Sequence, residues 1–218
     1  MKKYLFISLL SICLFQLNVN AQDAKAKEIL TKLSEQTQNA KTIKANFKST
    51  LKNTAENIEE SREGKLLSAA EKYRIILEDM EVLNDGKNVY TIIKDAEEVQ
   101  INPIPEEGDM ADLSNPTKIT TMWKKDFKYE FKSEENIDGK NTHLIHLYPN
   151  EPEDKDFHTI QLFINHDSYT IRRIVIKGKS GTDVIYDITD FKIDADIPMN
   201  QLSFSKSDYA NFEVIDLR

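Results

Sequence analysis

The feature that most constrains the fold is a succession of short segments in which apolar and polar residues alternate. The clearest case is the stretch FKYEFK at residues 127–132. A period of two residues is typical of strands that bury one face. About ten or eleven such segments follow one another from Ile43 onward, and nearly all their connections are too short to cross over a sheet. The pattern therefore predicts one large antiparallel sheet.

Two segments with helical periodicity accompany the strands. In Asp23–Lys41 the apolar residues recur every three or four positions, which is typical of a helix lying on a core. Near the middle, Asn115-Pro116 provides a cap residue and a proline at the first helical position, ahead of a short apolar face. The expected fold class is therefore α+β, with a strongly curved antiparallel sheet, an N-terminal helix and a central helix.

The N-terminus has the features of a secretory signal peptide. Two lysines precede an almost wholly apolar run, and a small residue follows at Ala21. A membrane anchor is less well supported, because the run has about 13 residues and a spanning helix needs about 20. Lipidation at Cys13 is a second alternative, although the preceding Ile12 is bulky where a small residue is expected. We predict a signal peptide at 1–21 and a single domain at 22–218, exported to the periplasm.

Composition excludes some classes of partner. The formal net charge of −8 becomes −10 once the two lysines of the signal peptide are removed. Such a surface repels phosphate backbones and anionic headgroups, which argues against nucleic-acid binding and against electrostatic adsorption to lipid. Cys13 is the only cysteine, so the exported domain is expected to rely on its core and not on disulfides.

No catalytic or metal-binding motif stands out. The four histidines, at positions 143, 146, 158 and 166, are expected at the surface. His143 and His146 are three apart on a predicted strand, point to opposite faces and do not readily share a metal. Acidic residues cluster in predicted loops, where solvated acidic loops are commoner than glycosidase pairs. We therefore expect no enzymatic activity, no cofactor and no metal.

Apolar surface is more abundant than the two helices can cover. A strongly curved sheet can hold a ligand on its concave side. An ordinary packed core is the alternative, and composition does not distinguish the two.

Several stretches, in order, resemble one known family. They are IKANFKSTLKN from residue 43, GKLLSAAEKYRIIL from 64, NDGKNVYTI from 84, LSNPTKITTMW from 113 and LSFSKSDYANFEVIDLR from 202. This order resembles the outer-membrane lipoprotein carrier family, the LolA-like periplasmic chaperones. The resemblance implies a half-open β-barrel with a helical lid over a hydrophobic cavity for acyl chains. It also implies transport without covalent chemistry or cofactor.

Site residues follow from the resemblance and from strand alternation. The expected lid is the segment Leu113–Trp123, which begins at Leu113 and has Ile119, Met122 and Trp123 facing the cavity. Ordinary helix-to-sheet packing is the alternative. Ala70 stands where the family often has a lid-latching arginine, so no latch is predicted there. The expected cavity wall comprises Phe47, Leu51, Leu66, Ile75, Leu77, Val82, Tyr90 and Ile92.

The function implied is that of a periplasmic carrier, expected to be a monomer, which shuttles lipoproteins from the inner to the outer membrane. Its implied partners are acylated lipoproteins as cargo, an inner-membrane ATP-driven extractor and an outer-membrane acceptor. Two alternatives stay open. One is a periplasmic lipid-binding, glycolipid-binding or envelope-sensing protein on the same half-barrel. The other is a hydrolase of envelope glycans, which would need two carboxylates converging in a cleft.

Overall fold

The structure, a computed structural model, describes residues 17–104 and 118–218. The first sixteen residues of the predicted signal peptide lie outside the described residues. So do Leu113 and the predicted helix start at Asn115-Pro116. Among the described residues there are one α-helix, α1 (Leu17–Gln38), and twelve strands. The strands are β1 (Ile43–Asn53), β2 (Ile58–Ala69), β3 (Lys72–Leu77), β4 (Met80–Asn84), β5 (Asn88–Ile93), β6 (Glu98–Pro103), β7 (Phe127–Ile137), β8 (Lys140–Pro149), β9 (Phe157–Asn165), β10 (Ile171–Gly178), β11 (Thr182–Ile193) and β12 (Glu213–Asp216).

All twelve strands form one sheet in the order β12-β6-β5-β4-β3-β2-β1-β11-β10-β9-β8-β7. Every neighbouring pair is antiparallel except β12 with β6, which is parallel. The long-range pairing of β1 with β11 joins the two halves of the chain. The sheet is open, and its antiparallel character confirms the prediction from the alternating segments. The structure has twelve strands where the sequence predicted ten or eleven.

Local sequence explains the hairpin between β4 and β5. Gly86 has a φ of +86°, a conformation that only glycine adopts without strain. The side-chain oxygen of Asn84 accepts a hydrogen bond from Gly86 N at 2.8 Å. Asp85 Oδ1 accepts hydrogen bonds from the backbone amides of Lys87 and Asn88, each at 2.9 Å. Asn and Asp side chains stabilise turns in this way. The sequence Asn-Asp-Gly at 84–86 therefore accounts for this tight turn.

Helix α1 covers one face of the sheet, called here the inner face. The side chains of Ala26, Ile29, Leu30 and Leu33 are buried there against strands β7 to β10. These residues recur at helical spacing, so the sequence pattern and the buried side of α1 agree. The main core of the protein therefore lies between α1 and the second half of the sheet.

The central helix is not formed as predicted within the described residues. Lys118–Thr120 and Met122–Lys124 are two short 3-10 turns, and the described part of this region contains no α-helix. The run Ile-Thr-Thr at 119–121 consists of β-branched residues, whose restricted side chains lower helix propensity. We call residues 118–124 the central turn segment.

The opposite, outer face of β2 to β6 is covered by the C-terminal segment, residues 194–218. Its apolar side chains form two small cores with the outer-facing residues of those strands. The rings of Phe204 and Tyr90 stack with centroids 4.2 Å apart. Arg74 fastens the segment, because its Nη2 donates to Tyr209 Oη at 2.6 Å and its Nη1 to Gln201 O at 3.2 Å. The C-terminal segment therefore covers the outer face of these strands.

Candidate ligand-binding cavity

A cavity of about 290 Å³ lies between the inner face of the sheet, the end of α1 and the central turn segment. Its walls are almost entirely apolar. The lining residues are Thr37, Ile43, Ala45, Phe47, Ser49, Leu66, Ile75, Leu77, Met80, Val82, Ile119, Thr120, Ile171, Ile174, Tyr186, Ile188 and Phe191.

Strand register places one wall of the cavity. Leu66 in β2 is paired with Ile75 in β3, and Ile75 is paired with Val82 in β4. Directly paired residues point to the same face of a sheet, so these three side chains form a continuous apolar row. Alternation along β1 adds Ala45 and Phe47 to the same face. The wall is therefore a consequence of period-two patterning combined with in-register pairing.

Gly64 shapes this wall by lacking a side chain. It is paired with Phe47, whose ring lies across the glycine. A Cβ atom added at Gly64 would be 2.3 Å from Phe47 Cζ and 2.8 Å from Leu77 Cδ2. Separations this short do not occur between real atoms, so any larger residue displaces the ring. On its other side Phe47 meets Tyr186 edge-on, with ring centroids 6.1 Å apart.

Five residues of the predicted wall line the cavity: Phe47, Leu66, Ile75, Leu77 and Val82. Leu51 shares their face but lies beyond the cavity lining, and it is 41% exposed.

Tyr90 and Ile92 lie on the outer face, contrary to the prediction. Both are buried in the core beneath the C-terminal segment. Tyr90 is paired with Leu83, and Ile92 is paired with Glu81, whereas the cavity residue Val82 is paired with Thr91. Strands β4 and β5 carry apolar residues on both faces, so alternation does not reveal which face is inside. A shift of one residue in the assignment inverts a strand.

Sequence reasoning missed the opposite wall. Five lining residues come from β10 and β11: Ile171, Ile174, Tyr186, Ile188 and Phe191. They reach the cavity because β1 pairs with β11, more than a hundred residues further along the chain. The alternation of apolar and polar residues in β10 and β11 is visible in the sequence. No local feature of the sequence, however, indicates that β11 pairs with β1.

Of the three apolar residues of the central turn segment, which all belong to or pack against the main core, only Ile119 lines the cavity. Ile119 is 3% exposed and lines the cavity. Trp123 packs in the main core, with its ring edge-on to Tyr129 at a centroid distance of 5.4 Å. Met122 is half-buried against the same core. The segment is broken into two turns at Thr121, so the single cavity-facing triad predicted for a helix is not present.

Hydrogen bonds tie the central turn segment to α1. Ser34 Oγ donates to Thr120 O at 2.6 Å, and Trp123 Nε1 donates to Ser34 Oγ at 2.9 Å and to Thr120 O at 3.1 Å. Thr37 Oγ1 is 2.9 Å from Thr120 Oγ1. Ser34 is only 1% exposed, so the bonds are shielded from water. The wall formed by Ile119 and Thr120 is thereby fixed to the helix.

The residues near the expected latch position do not reach this wall. Ala70 lies in the turn between β2 and β3 with a φ of +50°. Arg74 points to the outer face, where it forms an ion pair with Glu81 at 2.6 Å and fastens the C-terminal segment.

A second, polar pocket of about 440 Å³ adjoins the cavity. We call it the vestibule. Thr37, Ile43 and Thr120 line both spaces, so the vestibule directly adjoins the apolar cavity. The remaining vestibule residues are Gln38, Ala40, Lys41, Thr42, Ser68, Ala69, Ala70, Glu71, Lys118 and Thr121. Five of the lining side chains carry hydroxyl groups, and the exposed Lys41 and Glu71 carry opposite charges.

His143 is buried, although a surface position was expected. It is 4% exposed, its ring centroid lies 4.8 Å from that of His166, and its Nδ1 is 3.8 Å from Glu134 Oε1. Burial, reinforced by the nearby His166 and Lys25, lowers the pKa of His143. His146 points to the other face of β8 and bonds with Tyr148 and Gln161. Among residues 17–104 and 118–218 no cluster of three or more His, Cys, Asp or Glu residues is placed to hold a metal ion.

Comparison with solved structures identifies the fold. An uncharacterized conserved protein from Thermus thermophilus superposes with a TM-score of 0.58 at 13% identity, over 87% of this chain and 98% of that one. LprF from Mycobacterium bovis gives 0.50 at 15% identity, over 80% and 96%. A LolA superfamily protein from Nitrosomonas europaea gives 0.45 at 14% identity, over 82% and 97%. The overall fold is shared with the Thermus thermophilus protein and with LprF. At these identities the likeness is one of fold alone.

No protein-family model and no curated protein sequence matches the chain. In the part of the chain that the structure describes, no helix is both long and apolar enough to cross a membrane.

Proposed function

We propose that this protein is a periplasmic, non-enzymatic carrier that binds the acyl chains of lipoproteins and moves them from the inner to the outer membrane. The observation that carries the proposal is the apolar cavity on the inner face of the sheet. The predicted signal peptide and the family-like order of motifs support an exported carrier. In this proposal an ATP-driven extractor loads the protein at the inner membrane, and an acceptor unloads it at the outer membrane.

The size of the cavity is informative about its capacity. A dry apolar cavity of roughly 150 Å³ accommodates one benzene molecule. A cavity of about 290 Å³ therefore has room for about twice as much carbon, which corresponds to one acyl chain of roughly twelve carbons. A cargo with several chains requires the inner face to widen.

The tie between α1 and the central turn segment is the element that would have to open. Burying an acyl chain of about 14 carbons contributes roughly 10 kcal/mol at ~0.8 kcal/mol per methylene, so a carrier that only closes around its cargo would not unload it. Two states of similar free energy make release possible. In our proposal the bonds of Ser34 and Thr37 to Thr120 hold the closed state, and cargo shifts the balance.

The test is recovery of the protein from its native periplasm, followed by mass spectrometry of the molecules that co-purify. Ser49 lines the cavity, whereas Thr189 is exposed on the neighbouring strand β11. We expect Ser49→Trp to lose co-purifying lipoproteins and Thr189→Trp, the matched control, to retain them. Depletion of the protein should also leave lipoproteins at the inner membrane. Consistently empty wild-type protein, or equal cargo in both variants, would contradict the proposal.

A further inference from the structure

The vestibule beside the cavity has a specific hydrogen-bonding character. Thr42 Oγ1 donates its proton to Ala195 O at 2.6 Å, and Thr121 Oγ1 donates to Lys118 O at 3.1 Å. Thr37 Oγ1 donates its proton among Leu33 O at 2.9 Å, Ser34 O at 3.1 Å and Thr120 Oγ1 at 2.9 Å, all of them within the protein. A hydroxyl group has one proton and two acceptor lone pairs. Once the proton is used inside the protein, the group offers only acceptor capacity to a ligand.

Charged groups in the vestibule are not placed to hold an ionic ligand. Lys41 and Glu71 are exposed, and Lys118 is partly exposed. Ion pairs formed at an exposed rim contribute little, because water and salt screen them. A charged head drawn into the vestibule would lose hydration without gaining a buried counter-ion, which is unfavourable. A carboxylate or phosphate would also present only acceptors to the threonine oxygens, which can themselves only accept.

Geometry links this acceptor-rich space to the apolar cavity. Thr37 and Thr120 stand at the boundary and line both spaces. The contact between Thr37 Oγ1 and Thr120 Oγ1, at 2.9 Å, lies at this boundary. A molecule that passes beside it with its hydrocarbon chain in the cavity has the vestibule as the space for its other end. The two volumes, about 290 and 440 Å³, suit one chain and one compact polar head.

We infer that the cavity and the vestibule together form a site for a single-chain amphiphile whose head is an uncharged polyol, such as a glyceryl or sugar group. The hydroxyls of such a head donate to the threonine oxygens, and its chain fills the apolar cavity. This inference rests on the part of the proposed function that places acyl chains in the cavity, and it names the head that the adjoining space selects.

The experiment measures binding of 1-monododecanoylglycerol and of dodecanoate to the full chain at pH 7.4, below their micelle concentrations, by displacement of a neutral apolar fluorescent dye. Two hydrogen bonds of ordinary strength correspond to about a tenfold preference for the glyceride. Shortening the chain should weaken binding by about fourfold per methylene, and lengthening it beyond roughly twelve carbons should bring little gain.

Isosteric variants test the head site directly. Thr37→Val and Thr121→Val should reduce the glyceride-to-dodecanoate preference severalfold. Thr31→Val is the matched control, because Thr31 makes the same bond to a carbonyl four residues earlier in α1 but does not line the vestibule. A general disturbance of the closed state would weaken both ligands equally and leave the ratio unchanged, so the ratio is the decisive quantity.

Other outcomes overturn the inference in distinguishable ways. Equal or tighter binding of dodecanoate would show that the head site takes anions. Binding of multi-chain lipids or lipoproteins without binding of either single-chain probe would reject the single-chain site and leave the carrier proposal intact. Failure of every acyl ligand to bind would remove both.

Discussion

Two isoleucines on neighbouring parts of the sheet provide a direct test of which face holds the ligand. Ile75 in β3 lines the cavity on the inner face, whereas Ile92 in β5 is fully buried on the outer face beneath the C-terminal segment. Replacing either by alanine removes the same three carbon atoms. The two positions therefore differ in surroundings and not in the chemistry of the substitution.

The expected effects on stability differ in size. At Ile92 the lost transfer energy is about 2.4 kcal/mol at ~0.8 kcal/mol per carbon, and the new void adds to it, so the loss is about 2–5 kcal/mol. Ile75 is only partly buried and already borders empty space, so its truncation enlarges an existing cavity. We expect a cost of about 1 kcal/mol there, at the lower end of core substitutions.

The effects on ligand binding should have the opposite order. Ile75→Ala removes contacts with an acyl chain, and a loss of about 1 kcal/mol corresponds to roughly fivefold weaker binding. Ile92→Ala should leave the affinity of the folded protein unchanged. Urea unfolding followed by circular dichroism gives the stabilities, and dye displacement by a dodecanoyl ligand gives the affinities. Weaker binding in Ile92→Ala than in Ile75→Ala, at equal folded fraction, would refute the assignment of the two faces.

Two further predictions concern Ser34 in α1 and His143 in β8. Ser34→Ala removes the hydroxyl group that joins Trp123 Nε1 to Thr120 O. We expect the free energy of unfolding to fall by about 1–3 kcal/mol and the fluorescence emission of Trp123, the only tryptophan, to shift to the red. Ser207→Ala, at an exposed serine, is the control, and unchanged emission and stability in Ser34→Ala would contradict the role of the tie. The pKa of His143 is lowered in the folded state from its usual 6.5, so the unfolded chain binds the proton more readily and stability should fall as pH drops below about 6.5. His143→Gln should make the urea midpoint less dependent on pH between about 7.5 and 5, and an unaltered slope would reject the contribution of this residue.

The pattern of the strands was predictable because it depends on local chemistry. Phe47, Leu66, Ile75, Leu77 and Val82 were assigned to one wall from the family resemblance and from strand alternation, and the structure brings them together. Alternation is sufficient in β1, where Lys44, Asn46 and Lys48 occupy the opposite face. In β2 and β3 the neighbouring Leu67 and Ile76 are apolar as well and belong to the core on the outer face, so alternation alone does not separate the two faces there. The same reasoning was wrong for Tyr90 and Ile92, where both faces of the sheet are apolar.

The central segment shows a different limit. The cap residue and the apolar spacing favoured a helix, but the described residues form two 3-10 turns held by bonds to Ser34 and Thr37. Those bonds join positions more than eighty residues apart, and propensity does not report them. The vestibule was missed for the same reason, since its hydroxyls come from α1, β2 and the central turn segment.

The amino-acid sequence by itself determined the kind of element that each stretch forms. The period of two, the Asp-Gly turn and the amphipathic spacing of α1 act within a few residues of one another, so they can be recognised without knowledge of the rest of the chain. Tertiary structure alone decided which face of β4 and β5 is inside, which strand stands beside β1 and which space is left unfilled. These depend on contacts such as the pairing of β1 with β11 and the packing of the C-terminal segment on β2 to β6. A cavity is the volume that packing leaves empty, and it is therefore fixed only when all the elements that surround it are in place.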